Sequence, residues 1–334
     1  STMDLVVIVA LVSALFAVIG LSEPIADRLR LPATVILAMM GIAIAVAAAL
    51  LLHTTLTDAF NPLAQAILAL PIRSNLFLYV FLPTLIFQVA LSIDFRRMLD
   101  DWVPILVLSV VAVVVATLVV GYALYPLTGL SLMACFLIGA IVSTTDPSAV
   151  VGIFRATPAP QRLARIVEGE SLLNDAAAIA LFGLFFAYVA FGIPTPSPAD
   201  LVFHFPWLVF GGAFIGWAAA RLALTGLARL GDHPLGQVSV SVALPYLVYV
   251  LAEAVLSVSG VIAVVAAGLT LNYLAPGKLS PPSVKKLRDT WDLLGYWASG
   301  MIFVLAALLI PRLLSNARPF DLLLIAVTVV AALA

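Results

Sequence analysis

Two short stretches place acids inside otherwise apolar sequence. In GAIVSTTDPSAVVGIFR, residues 139–155, Asp146 follows Ser143, Thr144 and Thr145 and precedes Pro147. In RIVEGESLLNDAAAIALF, residues 165–182, Glu168, Glu170, Ser171, Asn174 and Asp175 lead into Ala176, Ala177 and Ala178. A carboxylate at mid-bilayer costs about 2.5–3.5 kcal/mol on insertion scales, so such groups face a bundle interior or a water-filled cavity. Pro147 lacks a backbone donor and disfavours helical geometry at Asp146. The helix is therefore expected to unwind there and free backbone carbonyls and amides, which a cavity tolerates and lipid does not. Broken helices at the midplane are one way transporters build ion sites.

Projected at about 100° per residue, Glu168, Ser171, Asp175, Asn174 and Glu170 share one face of the second stretch, with Asp175 the deepest carboxylate. The alanines that follow allow close helix approach. The connection from Arg155 to Arg165 is short, so the two stretches are antiparallel neighbours, and Asp146 and Asp175 can meet at mid-depth. Carboxylate, hydroxyl and carbonyl oxygens suit hard cations. Asp175, Asp146, Ser171 and Thr145 together could hold a small Na⁺ or Li⁺. An aspartate that trades protons near neutral pH needs about 4 kcal/mol of differential interaction relative to its ordinary value, comparable to the burial penalty above. One carboxylate open to either a proton or a metal ion is the core of an exchanger. The plainer readings are a structural ion pair or helix cap for either aspartate, and an interfacial charge for Glu168. Glu253, in YLVYVLAEAVLSVSG, reads as half of a structural ion pair with a residue beyond the chain's end.

The elements that must position these residues are membrane spans. Of 334 residues, 64% are apolar and only 10% charged, with a net charge of −1, against about 25% charged in ordinary soluble domains. Apolar runs of roughly 20 residues, each enough to cross a hydrocarbon core, recur throughout: 4–22, 33–52, 75–93, 103–125, 131–154, 164–191, 206–224, 236–256, 259–275, 291–311 and 320–334. The run 236–275 is too long for one crossing and is split at Ser257, Ser259 and Gly260. With eleven spans, thirteen of the sixteen Lys and Arg residues fall on one side. That side is cytoplasmic by the positive-inside rule, which places the N-terminus outside. The stretch GIPTPSPAD, residues 192–200, reads as a stiff outer loop. APGKLSPPSVKKLRD, residues 275–289, reads as a solvated inner loop, with a short interfacial helix as the alternative. The chain ends in the apolar run VTVVAALA and reads as part of a longer protein.

TDPSAVV followed by EGESLLND resembles the paired signature of sodium/proton antiporters of the NhaP and eukaryotic NHE branch. FLPTLIFQVALSIDFR and YLVYVLAEAVLSVSGVIAVVAAGLTLN resemble two further segments of that family. The resemblance covers essentially the whole chain. It implies an all-α polytopic NhaA-like antiporter fold with inverted repeats, two broken crossing helices, and interleaved core and dimerisation subdomains. Residues 1–334 would form one transporter domain of about eleven spans, with two further C-terminal spans expected. It implies that Asp175 carries cation and proton, that Asp146 and Thr145 sit at the break of the first crossing helix, that Ser171 is a ligand, and that Glu170 and Asn174 organise the site. Asn174 beside Asp175 matches the electroneutral, one-for-one branch. The partners implied are a monovalent cation, a proton, the bilayer of a bacterial inner membrane and a second copy of the chain. Two departures stand out. Gln88 replaces a usual Glu, and the expected downstream Gly-Gly-Leu-Arg-Gly-Ala segment is missing. The second broken helix is then lost, and these residues alone are expected not to transport.

Other classes fare worse. The near-zero net charge gives no case for nucleic acid. The single cysteine, Cys135, rules out an intrachain disulfide, and His53, His204 and His233 have no metal-ligand spacing. No phosphate-binding Gly-rich loop, HExxH motif or nucleophile–base spacing is present, so neither an ATP-driven pump, nor an enzyme, nor any cofactor is expected. The alternatives are a K⁺/H⁺ antiporter, and a transport-inactive membrane scaffold or pH sensor.

Overall fold

A computed structural model describes residues 2–53, 64–65, 67, 76–144, 150, 154, 160–191, 198–231 and 233–314. The helices are α1 (Thr2–Leu29), α2 (Ala33–His53), α3 (Phe77–Ser92), α4 (Phe95–Thr128), α5 (Leu132–Val142), α6 (Gln161–Phe191), α7 (Pro198–Arg229), α8 (Pro234–Val255), α9 (Gly260–Leu274) and α10 (Pro281–Leu314). Eight are long and apolar enough to cross a membrane, and α3 and α5 are shorter apolar helices. There is no strand among the described residues. Among the described residues these ten helices correspond in order to the first ten expected spans; the eleventh, 320–334, and much of the second half of the fifth, 131–154, lie outside the described residues. One-residue-wider turns open α3 at Phe77–Phe81, interrupt α4 at Val107–Val111 and close α8 at Leu251–Val255.

The chain divides into two compact units, Ser1–Phe81 with Leu293–Phe320 and Leu82–Asp292 with Asp321–Ala334. In the first, small residues let helices approach closely. A Cβ added at Gly41 of α2 would lie 2.7 Å from the Ala307 side chain, and one at Gly300 would lie 2.8 Å from Ile19. Tyr296 donates its hydroxyl to the Ile19 carbonyl (3.1 Å), and Phe16 meets Trp297 edge to face.

The second unit is organised around α9, which is buried on nearly every side. Gly212 of α7 rests on the Ser259 carbonyl and Gly216 on the Ala263 carbonyl, so these helices touch backbone to backbone. On another side Gly268 abuts Ala90 and Phe87 of α3. Polar side chains pin the neighbours, as membrane helices allow. Thr84 and Tyr246 share a 2.6 Å hydrogen bond, and the Trp291 indole donates to Ser241 (3.1 Å). Asn272 donates to the carbonyls of both Ala90 (2.9 Å) and Ile93 (2.6 Å), capping the end of α3 from α9.

The expected division of the 236–275 run is present. Helix α8 ends at Val255, Ser257 takes a positive φ of 52°, and the Ser259 hydroxyl caps α9 by accepting from the Ile262 amide. The expectation for residues 275–289 is corrected. After a short turn, Ala275–Gly277, the chain enters α10 at Pro281, and the charged run continues into the apolar span as one helix. At 34 residues that helix is about 51 Å long, longer than a hydrocarbon core, so its charged first turns extend past the apolar slab. Helix α7 likewise begins at Pro198, inside the expected outer loop.

Candidate ion-binding site

The site grows from α6. Ala176, Ala177 and Ala178 are almost completely buried, and Ala177 and Ala178 join a core with Val113, Met133, Phe136 and Ala140. Their small size draws α6 against α5. On the other side of α5, Gly139 is seated on the Thr117 carbonyl of α4 (2.5 Å from an added Cβ). Helix α5 stops at Val142, with Ser143 as its cap and Thr144 outside the helix. The chain thus leaves helical geometry beside the middle of α6.

There a cavity of about 690 Å³ opens between α3, α5 and α6. From α6 it takes Glu168, Ser171, Leu172, Asp175, Ala178, Ile179 and Phe182, the stripe of one helical face. Asp175 lies near the midpoint of α6, and its side chain is open to the cavity. Thr144 adds a hydroxyl from the end of α5, and Ser92 one from the end of α3; the remaining α3 wall is aliphatic. Two carboxylates and three hydroxyls therefore share one apolar-walled chamber. Its oxygens match the donor set a hard monovalent cation requires. No group of three or more His, Cys, Asp or Glu residues disposed to hold a metal exists among the described residues.

The polar groups of α6 divide between two sides. Glu168, Ser171 and Asp175 face the cavity, whereas Asn174 is 2% exposed and donates its amide to Glu170 (3.0 Å), one turn back. Leu172, next to Glu168 around the helix axis, is in the cavity wall too. Thr145 and Asp146 lie outside the described residues. Glu253 accepts a hydrogen bond from the Gly260 amide (2.9 Å), which ties the last turn of α8 to the first of α9 across the break. Gln88 donates its amide to Asp292 (2.9 Å). An unprotonated glutamate at that position could not make this bond.

One group bearing on the site escaped the reading of the sequence. Asp101, buried in a tight turn of α4, accepts from Arg162 Nε at 2.7 Å and meets Arg165 Nη2 at 3.5 Å. It holds the first turn of α6, and so the register of the cavity face. The only sequence signal was an acidic pair, Asp100 and Asp101, in a basic-side loop.

Residues 11–334 match the family model described as sodium/hydrogen exchanger, transmembrane. The chain is 31% identical over 232 residues to the Na(+)/H(+) antiporter ApNhaP of Aphanothece halophytica, covering 69% of this chain and 44% of that protein. It is 31% identical over 259 residues to the Na(+)/H(+) antiporter NhaG of Bacillus atrophaeus, covering 76% and 48%. The chain thus spans about half the length of these relatives. Among solved structures, the sodium proton antiporter MjNhaP1 from Methanocaldococcus jannaschii at pH 8 superposes with a TM-score of 0.73 at 19% identity, over 98% of this chain and 77% of that one. The fold is shared.

Proposed function

Because the chain belongs to the sodium/hydrogen exchanger family, as its match over residues 11–334 shows, we propose that the full protein exchanges Na⁺ for H⁺ at Asp175. The observation that carries this reading is the chamber that gathers Asp175, Ser171, Thr144 and Glu168 between α3, α5 and α6. A bare carboxylate with hydroxyl oxygens around it binds a desolvated cation, and the same carboxyl, once protonated, loses most of its attraction for the metal. The two loads exclude each other. Return of the empty, unprotonated site would strand a charge against apolar walls, which penalises leak without exchange.

In this reading Ser171 supplies a neutral ligand, and Thr145 and Asp146 complete the seat from the segment after α5. The Glu170–Asn174 pair fixes the turn of α6 that presents Asp175. Asn174 beside Asp175 matches the electroneutral, one-for-one branch that the sequence resembles. No cofactor is involved, and the driving force is the ion gradient. The protein works as a homodimer in a bacterial inner membrane, with a mobile core moving against a dimerisation subdomain. Its Arg- and Lys-rich side is cytoplasmic and its N-terminus outside.

The test is antiport in vesicles reconstituted with the full-length protein and loaded with a pH-sensitive dye. Addition of Na⁺ should dissipate an imposed pH gradient, at a rate unchanged when the membrane potential is clamped. D175N, inserted at normal levels, should be silent. Robust Na⁺-driven exchange by D175N would refute the assignment of the carrier. Absence of Na⁺-driven proton movement by the unaltered protein would refute the function.

A further inference from the structure

A second cavity, of about 340 Å³, lies at the basic end of the second unit, where α3 ends, α4 begins and α9 gives way to α10. Arg96 and Arg288 both line it. Arg96 lies over the ring of Tyr273, its guanidinium carbon 5.0 Å from the centroid, and donates to the Tyr273 carbonyl at 3.4 Å. Arg288 donates to the amide oxygen of Asn272 at 3.2 Å. These partners are neutral, and neither guanidinium has a carboxylate at ion-pair distance among the described residues. The one acid in the cavity wall, Asp94, is engaged elsewhere. It accepts from the Arg97 amide and pairs with the Arg97 side chain at 3.4 Å. Two positive charges, held in place by neutral groups, thus converge on an open chamber with no carboxylate in ion-pair contact with either among the described residues.

We infer that this chamber holds the phosphate of an anionic phospholipid head group from the adjoining leaflet. Basic pockets between helices on the cytoplasmic side are suited to such head groups, and guanidinium groups match phosphate oxygens in a planar, two-pronged geometry. The depth fits. Helix α10 carries its charged turns, Arg288 among them, before its apolar span begins, which sets the chamber at head-group level. A neighbouring cavity that shares Pro276 and Arg288 adds Lys285 but also Asp289 and Asp292. These acids repel phosphate and confine it to the Arg96–Arg288 side. Ser92 and Ile93 line both this chamber and the ion cavity, so the head group and the transported ion would share a wall.

The experiment uses the full-length protein in detergent and follows binding by native mass spectrometry and by thermal protection. The probes are phosphatidylglycerol, phosphatidylcholine and inorganic phosphate. Phosphatidylglycerol should bind and protect where the other two do not. At about a fivefold contribution per arginine near the surface, R96Q should weaken it about fivefold and R96Q/R288Q about thirtyfold, with R96K/R288K retaining most of the affinity. Equal binding by a folded R96Q/R288Q protein would overturn the inference, as would unchanged binding by R96Q if the double variant does not fold. Equal protection by phosphatidylcholine removes the role of the lipid's charge and also overturns it. Equal protection by inorganic phosphate makes this a free-anion site, and the lipid assignment fails.

Discussion

The clamp on the first turn of α6 allows a prediction in numbers. Asp101 has a side chain only 6% exposed, facing Arg162, 69% exposed, at 2.7 Å and Arg165, 24% exposed, at 3.5 Å. Distance alone would make Arg162 the more important partner. Exposure reverses the order. A pair with a largely solvated arginine is screened and contributes about 0.2–1 kcal/mol. Removing one member of a buried pair costs about 3–5 kcal/mol, mostly by stranding the other charge. Arg165 is a quarter exposed and its contact is long, so D101A should lie below that range, at about 2–3 kcal/mol. Its Nε is already without a hydrogen-bond partner, so the loss of Asp101 adds to a polar deficit the side chain already carries. R162A, which leaves Asp101 facing Arg165, should cost about 0.5 kcal/mol. The assay is reversible unfolding of the detergent-solubilised protein in a denaturant series, arranged as two double-mutant cycles. Coupling between positions 101 and 165 should exceed about 1 kcal/mol, and that between 101 and 162 should fall below about 0.5. If R162A destabilises as much as D101A, contact distance outweighs desolvation here and the reasoning fails.

Four other substitutions have defined outcomes. Gly183 of α6 has nothing within 4 Å of an added Cβ, so G183A should stabilise by up to about 1 kcal/mol through helix propensity. G216A drives a methyl into the Ala263 carbonyl and should lose about 1–3 kcal/mol; denaturant midpoints of the two, moving in opposite directions, check the pair. Q88E replaces an amide donor with a carboxylate 2.9 Å from Asp292. It should cost about 1 kcal/mol at neutral pH, given the exposure of Asp292. The deficit is read as a fall in the denaturant midpoint at neutral pH. N272L strips the donor from the carbonyls of Ala90 and Ile93 and should cost about 2–4 kcal/mol by leaving two acceptors unsatisfied, read as a fall in unfolding temperature.

What the sequence made legible was whatever repeats along one helix. Apolar length located the crossings, and helical periodicity put Glu168, Ser171 and Asp175 on one stripe. The excess length of the 236–275 run located the break at Ser257–Gly260. Three small residues in a row announced the close contact of α6 with α5. Partners distant in sequence left no such trace. Gln88 and Asp292 are 204 residues apart, and Asn272 reaches 182 residues back to Ala90. Nothing local in either stretch specifies the other. The charged run that opens α10 was misread for a related reason. Positive-inside bias and two prolines describe a loop and a helix start equally well, because proline is as comfortable in the first turn of a helix as in a turn. The helical projection also put Glu170 and Asn174 on the Asp175 face, since it fixes angles about an axis but not which neighbour lies at each angle; Asn174 is buried on Glu170 instead.

The contact of Gly212 and Gly216 with the main chain of α9 has a mechanical consequence. Side chains between helices act as adjustable spacers, able to change rotamer while two rods shift past each other. Where carbonyl meets glycine there is no spacer, and a shift of even an ångström meets a hard stop. Helices α7 and α9 are therefore one stiff plank, and Gly268 against Phe87 nails the end of α3 to it. Any rearrangement that opens the Asp175 chamber to the opposite side of the bilayer has to carry this plank as a whole, or else part α6 from it.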